Sequence, residues 1–317
     1  MQHRPLGSTG FTVAPLAFGN VFGWSADQAT SFRLLDAFVD AGFNLVDTAD
    51  VYSVWAPGHR GGESESIIGA WLAANPAKRD RVVIATKCGM ELSSDRKGLS
   101  RRWIKQACDD SLARLRTDRI DLYQAHKDDP DTPLEETLAT FDELLKAGKV
   151  RAIGASNYSA ARLGEALETS SRLGLARYAT LQPEYNLMER AGFEAELQPL
   201  CAKEGLAVIN YFALARGFLS GKYRTEADLA KSAARGSGVK KYLNERGMRV
   251  LAALDAVAKE LGATPAQVAL AWNMAQPTVA APIASATSTA QLDELMGAAR
   301  LALSGEALAA LGAASTG

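Results

Sequence analysis

Apolar positions along the chain recur with two periods. Short runs rich in branched and aromatic residues alternate with longer stretches in which apolar side chains return every three or four positions. The first pattern suits buried strands and the second amphipathic helices, so their alternation predicts repeated βα units around a parallel sheet. Strands are predicted at 15–19, 43–47, 82–87, 120–125, 152–155, 179–182, 207–212 and 279–284. Ahead of them, Gly7-Ser8-Thr9-Gly10 lies between short apolar positions, which predicts a small hairpin that covers one end of the core. Helix boundaries are legible too. Asp27 is placed to cap the first helix, Ser100 the third and Thr132 the fourth, with Pro133 at that helix's first position. Gly42, Gly148 and Gly205 each fall between a helical stretch and a strand, where a left-handed residue is wanted.

Eight strands with eight crossovers can close on themselves. An open, doubly wound sheet that binds a dinucleotide would carry Gly-x-Gly-x-x-Gly after its first strand, and no such sequence occurs here. The expected fold is therefore α/β, a (β/α)8 TIM barrel with a short N-terminal β-hairpin, one domain over residues 1–317. The segment 213–244, after the seventh strand, holds several glycines and many Lys and Arg and is too long for an ordinary connection. It is expected to cover a bound cofactor or substrate.

Composition narrows the function classes. A hydrophobic share of 47% with 22% charged residues is that of a globular protein with a sizeable core. Lys and Arg number 35 against 36 Asp and Glu, so no surplus of positive charge is present for nucleic acid or an anionic membrane surface. No apolar run approaches the roughly 20 residues of a membrane span, and residues 1–10 lack the apolar stretch of a secretory signal. The cytoplasm is the expected location. Cys88, Cys108 and Cys201 are far apart, which reads as reduced thiols rather than a zinc site or redox pair, and no metal is expected.

In a barrel of this kind the chemistry sits at the C-terminal ends of the strands. Asp47 closes Phe-Asn-Leu-Val-Asp, Tyr52 follows in the next loop, Lys87 closes Val-Val-Ile-Ala-Thr-Lys, and His126 follows Ile-Asp-Leu-Tyr-Gln-Ala. Singly each has a structural explanation: a turn cap, a solvated lysine, a hydrogen-bonded core histidine. Together they form a proton donor, because a tyrosine hydroxyl with a usual pKa near 10 becomes a better acid when an ammonium stabilises its phenolate. Asp47 would hold that ammonium. Tyr123 and Lys127 share the Tyr-x-x-x-Lys spacing of short-chain dehydrogenases, but that pair needs a helix and Tyr123 lies in a strand run.

The chain resembles the aldo-keto reductase family, in the branch that includes bacterial enzymes and potassium-channel β subunits. The resemblance rests on Asp47-Thr48-Ala49 with Tyr52, Gly62-Glu63-Ser64-Glu65 with Ile68-Gly69, Thr86-Lys87, and His126. It continues through Gly154-Ala155-Ser156-Asn157, Gln182-Pro183-Glu184-Tyr185-Asn186, and Leu214-Ala215-Arg216-Gly217 with Gly221-Lys222-Tyr223. It implies that Asp47, Tyr52, Lys87 and His126 are the catalytic tetrad of an NAD(P)H-dependent carbonyl reductase. It further implies that Ser156, Asn157 and Gln182 bind the nicotinamide carboxamide and that Tyr211 stacks on the ring. Ser156 and Asn157 also suit a helix N-cap. Further cofactor contacts are implied at Ala213, Leu214, Arg216 and Gly217, and at Ser285, Thr287, Ser288 and Gln291.

One feature departs from the family. Residues 283–292 carry hydroxyls at Ser285, Thr287, Ser288 and Thr289 but no Lys or Arg for a ribose 2′-phosphate. Hydroxyls and a helix N-terminus still bind phosphate, and Lys231, Arg235, Lys240 or Lys241 in the long loop would fold over it. NADP(H) is favoured, with NAD(H) the alternative. Trp24, Trp55 and Tyr223 are expected to line the pocket of a small carbonyl or alcohol substrate, with an apolar bias. The oligomeric state stays open. The alternative to an enzyme is a cofactor-binding sensor or auxiliary subunit; the absence of an additional N-terminal segment for partner contact counts against it.

Overall fold

The computed structural model describes residues 1–19, 21–231 and 236–316. A hairpin of β1 (Arg4–Pro5) and β2 (Thr12–Val13) precedes eight parallel strands, one at each predicted run: β3 (Ala17–Gly19), β4 (Leu45–Asp47), β5 (Val83–Cys88), β6 (Ile120–Ala125), β7 (Val150–Ser156), β8 (Thr180–Gln182), β9 (Ala207–Val208) and β10 (Ile283–Ala284). They lie in the order β10-β3-β4-β5-β6-β7-β8-β9. The two edges then meet: the Ala280 N–H donates to the Val208 carbonyl and the Ile283 N–H to that of Asn210, each at 2.9 Å. That curl is the barrel expected from the sequence.

The two-residue period of a strand sorts its side chains between two cores. Leu45, Ala85, Leu122 and Ala152 fill the barrel interior together with Ile209 and Ala281. Their neighbours Val46, Ile84, Tyr123 and Ile153 face the surrounding helices. The hairpin stops one end of the interior, since Leu6 and Val13 are buried in the same inner cluster. Its turn needs Gly7, whose φ is +57° and whose missing Cβ would lie 2.2 Å from the Ala179 carbonyl oxygen.

Helices α1 (Gln28–Asp40), α2 (Glu63–Ala74), α3 (Arg101–Leu115), α4 (Leu134–Lys146) and α5 (Ala160–Leu173) follow strands β3 to β7 in turn. Asp27 and Ser100 cap α1 and α3 as expected, accepting from the Thr30 and Trp103 N–H groups. Gly42, Gly148 and Gly205 all have positive φ. Thr132 is a correction. The N-cap of α4 is Pro133, without a side-chain cap, and the Thr132 hydroxyl instead donates to Asp129 at 2.7 Å. The Asp129 carboxylate also accepts the Leu99 N–H, and a charged acceptor outcompetes the helix end.

The predicted seventh strand is shorter than expected. Only Ala207–Val208 forms regular strand; beyond it the Ile209 and Tyr211 N–H groups still donate to the Leu181 and Pro183 carbonyls, Tyr211 makes a single bridge to Glu184, and Phe212 adopts φ +53°. The long segment that follows is partly ordered into 3-10 turns at Ala215–Ser220, Glu226–Lys231 and Lys240–Tyr242 and a helical turn at Gly236–Val239. Among the described residues no single helix is long and apolar enough to cross a membrane.

Candidate active site

On four successive strands, β4 to β7, the inward column ends in a polar residue at the same rim. Leu45 is followed two positions on by Asp47, Ala85 by Lys87, Leu122 by Gln124 and then His126, and Ala152 by Gly154 and Ser156. Gly19 on β3 permits a close approach of the neighbouring strand, because a Cβ there would lie 2.3 Å from the Asp47 carbonyl oxygen. Lys87 is fully buried. Its Nζ donates to Asp47 Oδ2 at 2.8 Å, to the Thr48 carbonyl at 2.7 Å and to Tyr52 Oη at 2.9 Å. Tyr52 Oη in turn donates to Asp47 Oδ2 at 3.3 Å. The His126 ring stands nearly edge-on to that of Tyr52, with centroids 5.8 Å apart. All four predicted strand-end residues are thus brought together.

Burial governs the charges. It lowers the Lys87 ammonium, against the pull of Asp47. It also holds the His126 imidazole well below its usual range, helped by the positive charges of Lys87 and Lys127. The imidazole is therefore neutral at pH 7. Tyr52 departs from the expectation drawn from Lys87 alone: burial and then the Asp47 carboxylate push its phenol well above the usual value. The resting tyrosine holds its proton firmly. Lys87 Nζ, 2.9 Å from Tyr52 Oη, is placed to donate a hydrogen bond to a phenolate there.

Beside this group, Ser156, Asn157, Gln182 and Tyr211 form one connected set. Gln182 Nε2 donates to Asp47 Oδ1 at 2.9 Å, and Ser156 Oγ donates to the Gln182 carbonyl at 2.8 Å. Asn157, in the left-handed region at φ +56°, donates to the His126 carbonyl at 2.9 Å and accepts from Tyr211 Oη at 2.8 Å. The helix-cap alternative for Ser156 and Asn157 fails, because Ser159 caps α5.

These side chains line a cavity of about 430 Å³ that also reaches Trp24, Trp55, Ala213, Leu214, Gly217 and Ser285. Trp24 and Trp55 meet edge to face at 5.5 Å, and Trp55 is half exposed at the mouth. Tyr223 is a correction: it is fully buried in the core between helix layer and sheet and does not line the cavity. Its aromatic ring is drawn into apolar packing that a pocket wall would not supply.

The wall formed by 212–217 is tightly turned. Phe212, Ala215, Arg216 and Gly217 all have positive φ, and the Ala215 and Gly217 N–H groups are used within the turn, donating to the Phe212 and Leu214 carbonyls. The Arg216 guanidinium lies 4.0 Å from the Phe212 ring centroid and makes no ion pair among the described residues. It lines the cavity together with Gly238 from the long loop. Other cations proposed for the phosphate are engaged elsewhere: Lys240 pairs with Glu226 and Lys241 with Glu189. Arg235 and the Lys231 side chain lie outside the described residues. After β10, Ser285 donates to the Gly19 carbonyl, Ser288 caps the helix Thr289–Gly297, and Thr287 donates to Gln291.

Sequence reasoning missed the residues behind Lys87. Asp50 and Glu65 are buried, and Glu65 is tied to Arg114 and Thr86. The available signal was an ionisable residue in the loop directly after a strand end, at Asp50. The Tyr123–Lys127 pair carries no site: Tyr123 faces the outer core against Phe141, and Lys127 is exposed in the following loop.

The model of the aldo/keto reductase family matches residues 15–315. The chain is 35% identical to an uncharacterized oxidoreductase, YrpG, of Bacillus subtilis (strain 168), over 97% of this chain and 94% of that protein. It is 35% identical to a probable voltage-gated potassium channel subunit beta of Oryza sativa subsp. japonica, over 93% and 90%. It is 33% identical to protein tas of Escherichia coli (strain K12), over 98% and 96%.

Proposed function

The chain belongs to the aldo/keto reductase family, and we propose that it reduces aldehyde or ketone carbonyls to alcohols, reversibly, with Tyr52 as proton donor. The observation that carries this reading is Lys87 Nζ, buried and within 2.9 Å of Tyr52 Oη and 2.8 Å of Asp47. A dihydronicotinamide, when bound, would supply the hydride for the carbonyl carbon. Tyr52 gives its proton to the carbonyl oxygen as negative charge develops there, Lys87 stabilises the phenolate left behind, and Asp47 fixes Lys87. His126 is neutral and orients the carbonyl by a hydrogen bond.

Ser156, Asn157 and Gln182 hold the carboxamide, Tyr211 supplies a flat face for the ring, and the loop with Ala213, Leu214, Arg216 and Gly217 takes the phosphates. Ser285, Thr287, Ser288 and Gln291 reach the ribose end. NADP(H) is the favoured cofactor and NAD(H) the alternative. Trp24 and Trp55 form the apolar wall for the substrate.

Tyr52→Phe tests the reading because it removes only a hydroxyl. Turnover should fall by about 10² to 10⁴ while cofactor binding, followed by tryptophan quenching, stays near that of the wild type. Retention of more than a tenth of the turnover would overturn the assignment. The likeness to the rice channel subunit favours a second reading, a cofactor-binding auxiliary protein. Failure of the purified wild type to oxidise NADPH or NADH with a panel of aldehydes would favour it.

A further inference from the structure

On the outer face of β5, behind Lys87, lies a set of ionisable groups that the reaction above does not use. Glu65, from α2, is satisfied on both oxygens: Thr86 donates to one at 2.6 Å and Arg114 Nε, from α3, to the other at 2.7 Å. Asp50 is not. It is 1% exposed, its backbone N–H is held by the Lys87 carbonyl at 3.2 Å, and its carboxyl oxygens make no side-chain hydrogen bond among the described residues, with only the Val51 backbone N–H favouring the charged form from close by. The charges that bear on it are Glu65 from α2, Arg114 from α3 and Lys87 from β5. The Cys88 thiol on β5 and the Tyr123 phenol on β6 also feel it.

Among these charges Asp47 pairs with Lys87 and Glu65 with Arg114, which leaves Asp50 without a counter-ion. A buried carboxylate in that position is costly and takes up a proton instead. Burial, and next the Glu65 carboxylate, push the Asp50 carboxyl well above the usual range.

We propose that Asp50 is a positioning residue for the reaction: held as a neutral acid behind Lys87, it leaves the Lys87 ammonium to favour a Tyr52 phenolate, and its ionisation withdraws that support. The inference rests on Tyr52 being the proton donor. Its physical basis is the sign of the field. An ionised Asp50 adds negative charge beside Lys87, so the phenolate becomes harder to form and Tyr52 a weaker acid. A carboxyl at this site also costs folding stability that an uncharged side chain would not, the kind of local conflict found where function sets the residue.

The test combines a direct and a functional readout. In wild-type protein labelled with carbon-13 at the aspartate carboxyls, one resonance should keep the position of a protonated acid at pH 7, and it should be absent in Asp50→Asn. Because the folded form binds this proton more tightly than the unfolded chain, its stabilising effect is full below about pH 4 and is lost as pH rises. The unfolding constant of the wild type should therefore rise relative to Asp50→Asn by about tenfold per pH unit above that point. In steady-state carbonyl reduction, the wild type should lose activity on the alkaline side as Asp50 itself ionises, so that the decline begins at higher pH in Asp50→Asn, by on the order of one pH unit. Asp50→Ala should behave alike and serves if the asparagine variant fails to fold. Ionisation of every aspartate at pH 7, or coincident alkaline limbs in the wild type and both variants, would overturn the proposal. Failure of the underlying reading would show separately, as turnover surviving Tyr52→Phe.

Discussion

Gln182 and Asp47 are 135 positions apart in sequence, yet the Gln182 amide donates to Asp47 Oδ1 at 2.9 Å across the barrel mouth. Asp47 thereby receives Lys87 on one oxygen and Gln182 on the other. A side chain proposed to contact the nicotinamide is mechanically joined to the tetrad.

Gln182→Leu should consequently do more than weaken cofactor binding. It strips a donor from a buried carboxylate, and leaving such an acceptor unsatisfied costs about 1–3 kcal/mol. The urea midpoint of the cofactor-free protein should drop by a corresponding amount. An unchanged midpoint would mean that Asp47 finds another donor and that the link is incidental.

The Lys87–Asp47 pair sets up a second experiment, since both partners are buried. Asp47→Leu leaves an unpaired ammonium, and breaking such a pair from one side costs roughly 3–5 kcal/mol. Lys87→Met should lower activity at neutral pH and raise the acidic group seen in the pH profile. The double variant should recover part of the stability lost by Asp47→Leu, because no charge is then left unpaired. Additive losses in denaturant unfolding would show that the two side chains act independently.

The strand-end residues were legible because a parallel barrel turns linear pattern into position. Once 43–47 and 82–87 read as strands, Asp47 and Lys87 had to reach the same rim, and the structure brings them to 2.8 Å. What could not be read were properties that depend on packing between elements. Tyr223 looks in sequence like any aromatic near a site, and only the fold of the long loop buries it. Thr132 precedes a proline as a cap residue should, yet Asp129, three positions earlier, captures its hydroxyl. The rise in Tyr52 likewise follows from burial and from Asp47 in three dimensions, which no local spacing encodes.

His126 gives a prediction with a definite sign. Its folded-state value is depressed, so its contribution to stability is present above the unfolded value near 6.5 and is lost as pH falls through the lower folded value. The stability of the wild type relative to His126→Gln should decline as pH drops below about 6.5. A difference that stays flat from pH 7 to pH 5 would mean that His126 titrates normally in the folded protein.

The last prediction concerns the choice between NADPH and NADH. No Lys or Arg occurs in 283–292, and the hydroxyls there are partly committed: Ser285 to the Gly19 carbonyl, Ser288 to a helix cap and Thr287 to Gln291. Lys240 and Lys241 are paired with Glu226 and Glu189, whereas Arg216 lines the cavity without an ion pair among the described residues. A charge-assisted hydrogen bond contributes about 1.5–3 kcal/mol, and each 1.4 kcal/mol is about tenfold in binding. One cation assisted by a few hydroxyls and a helix N-terminus should therefore prefer NADPH by less than about a hundredfold. Because Arg216 is exposed, that preference should shrink as salt rises. Titration of both cofactors by tryptophan quenching at two ionic strengths, in wild type and Arg216→Ala, measures each part of the argument. A large, salt-insensitive NADPH preference that survives Arg216→Ala would place the phosphate contact elsewhere; equal or tighter binding of NADH would show that the hydroxyls serve the ribose directly.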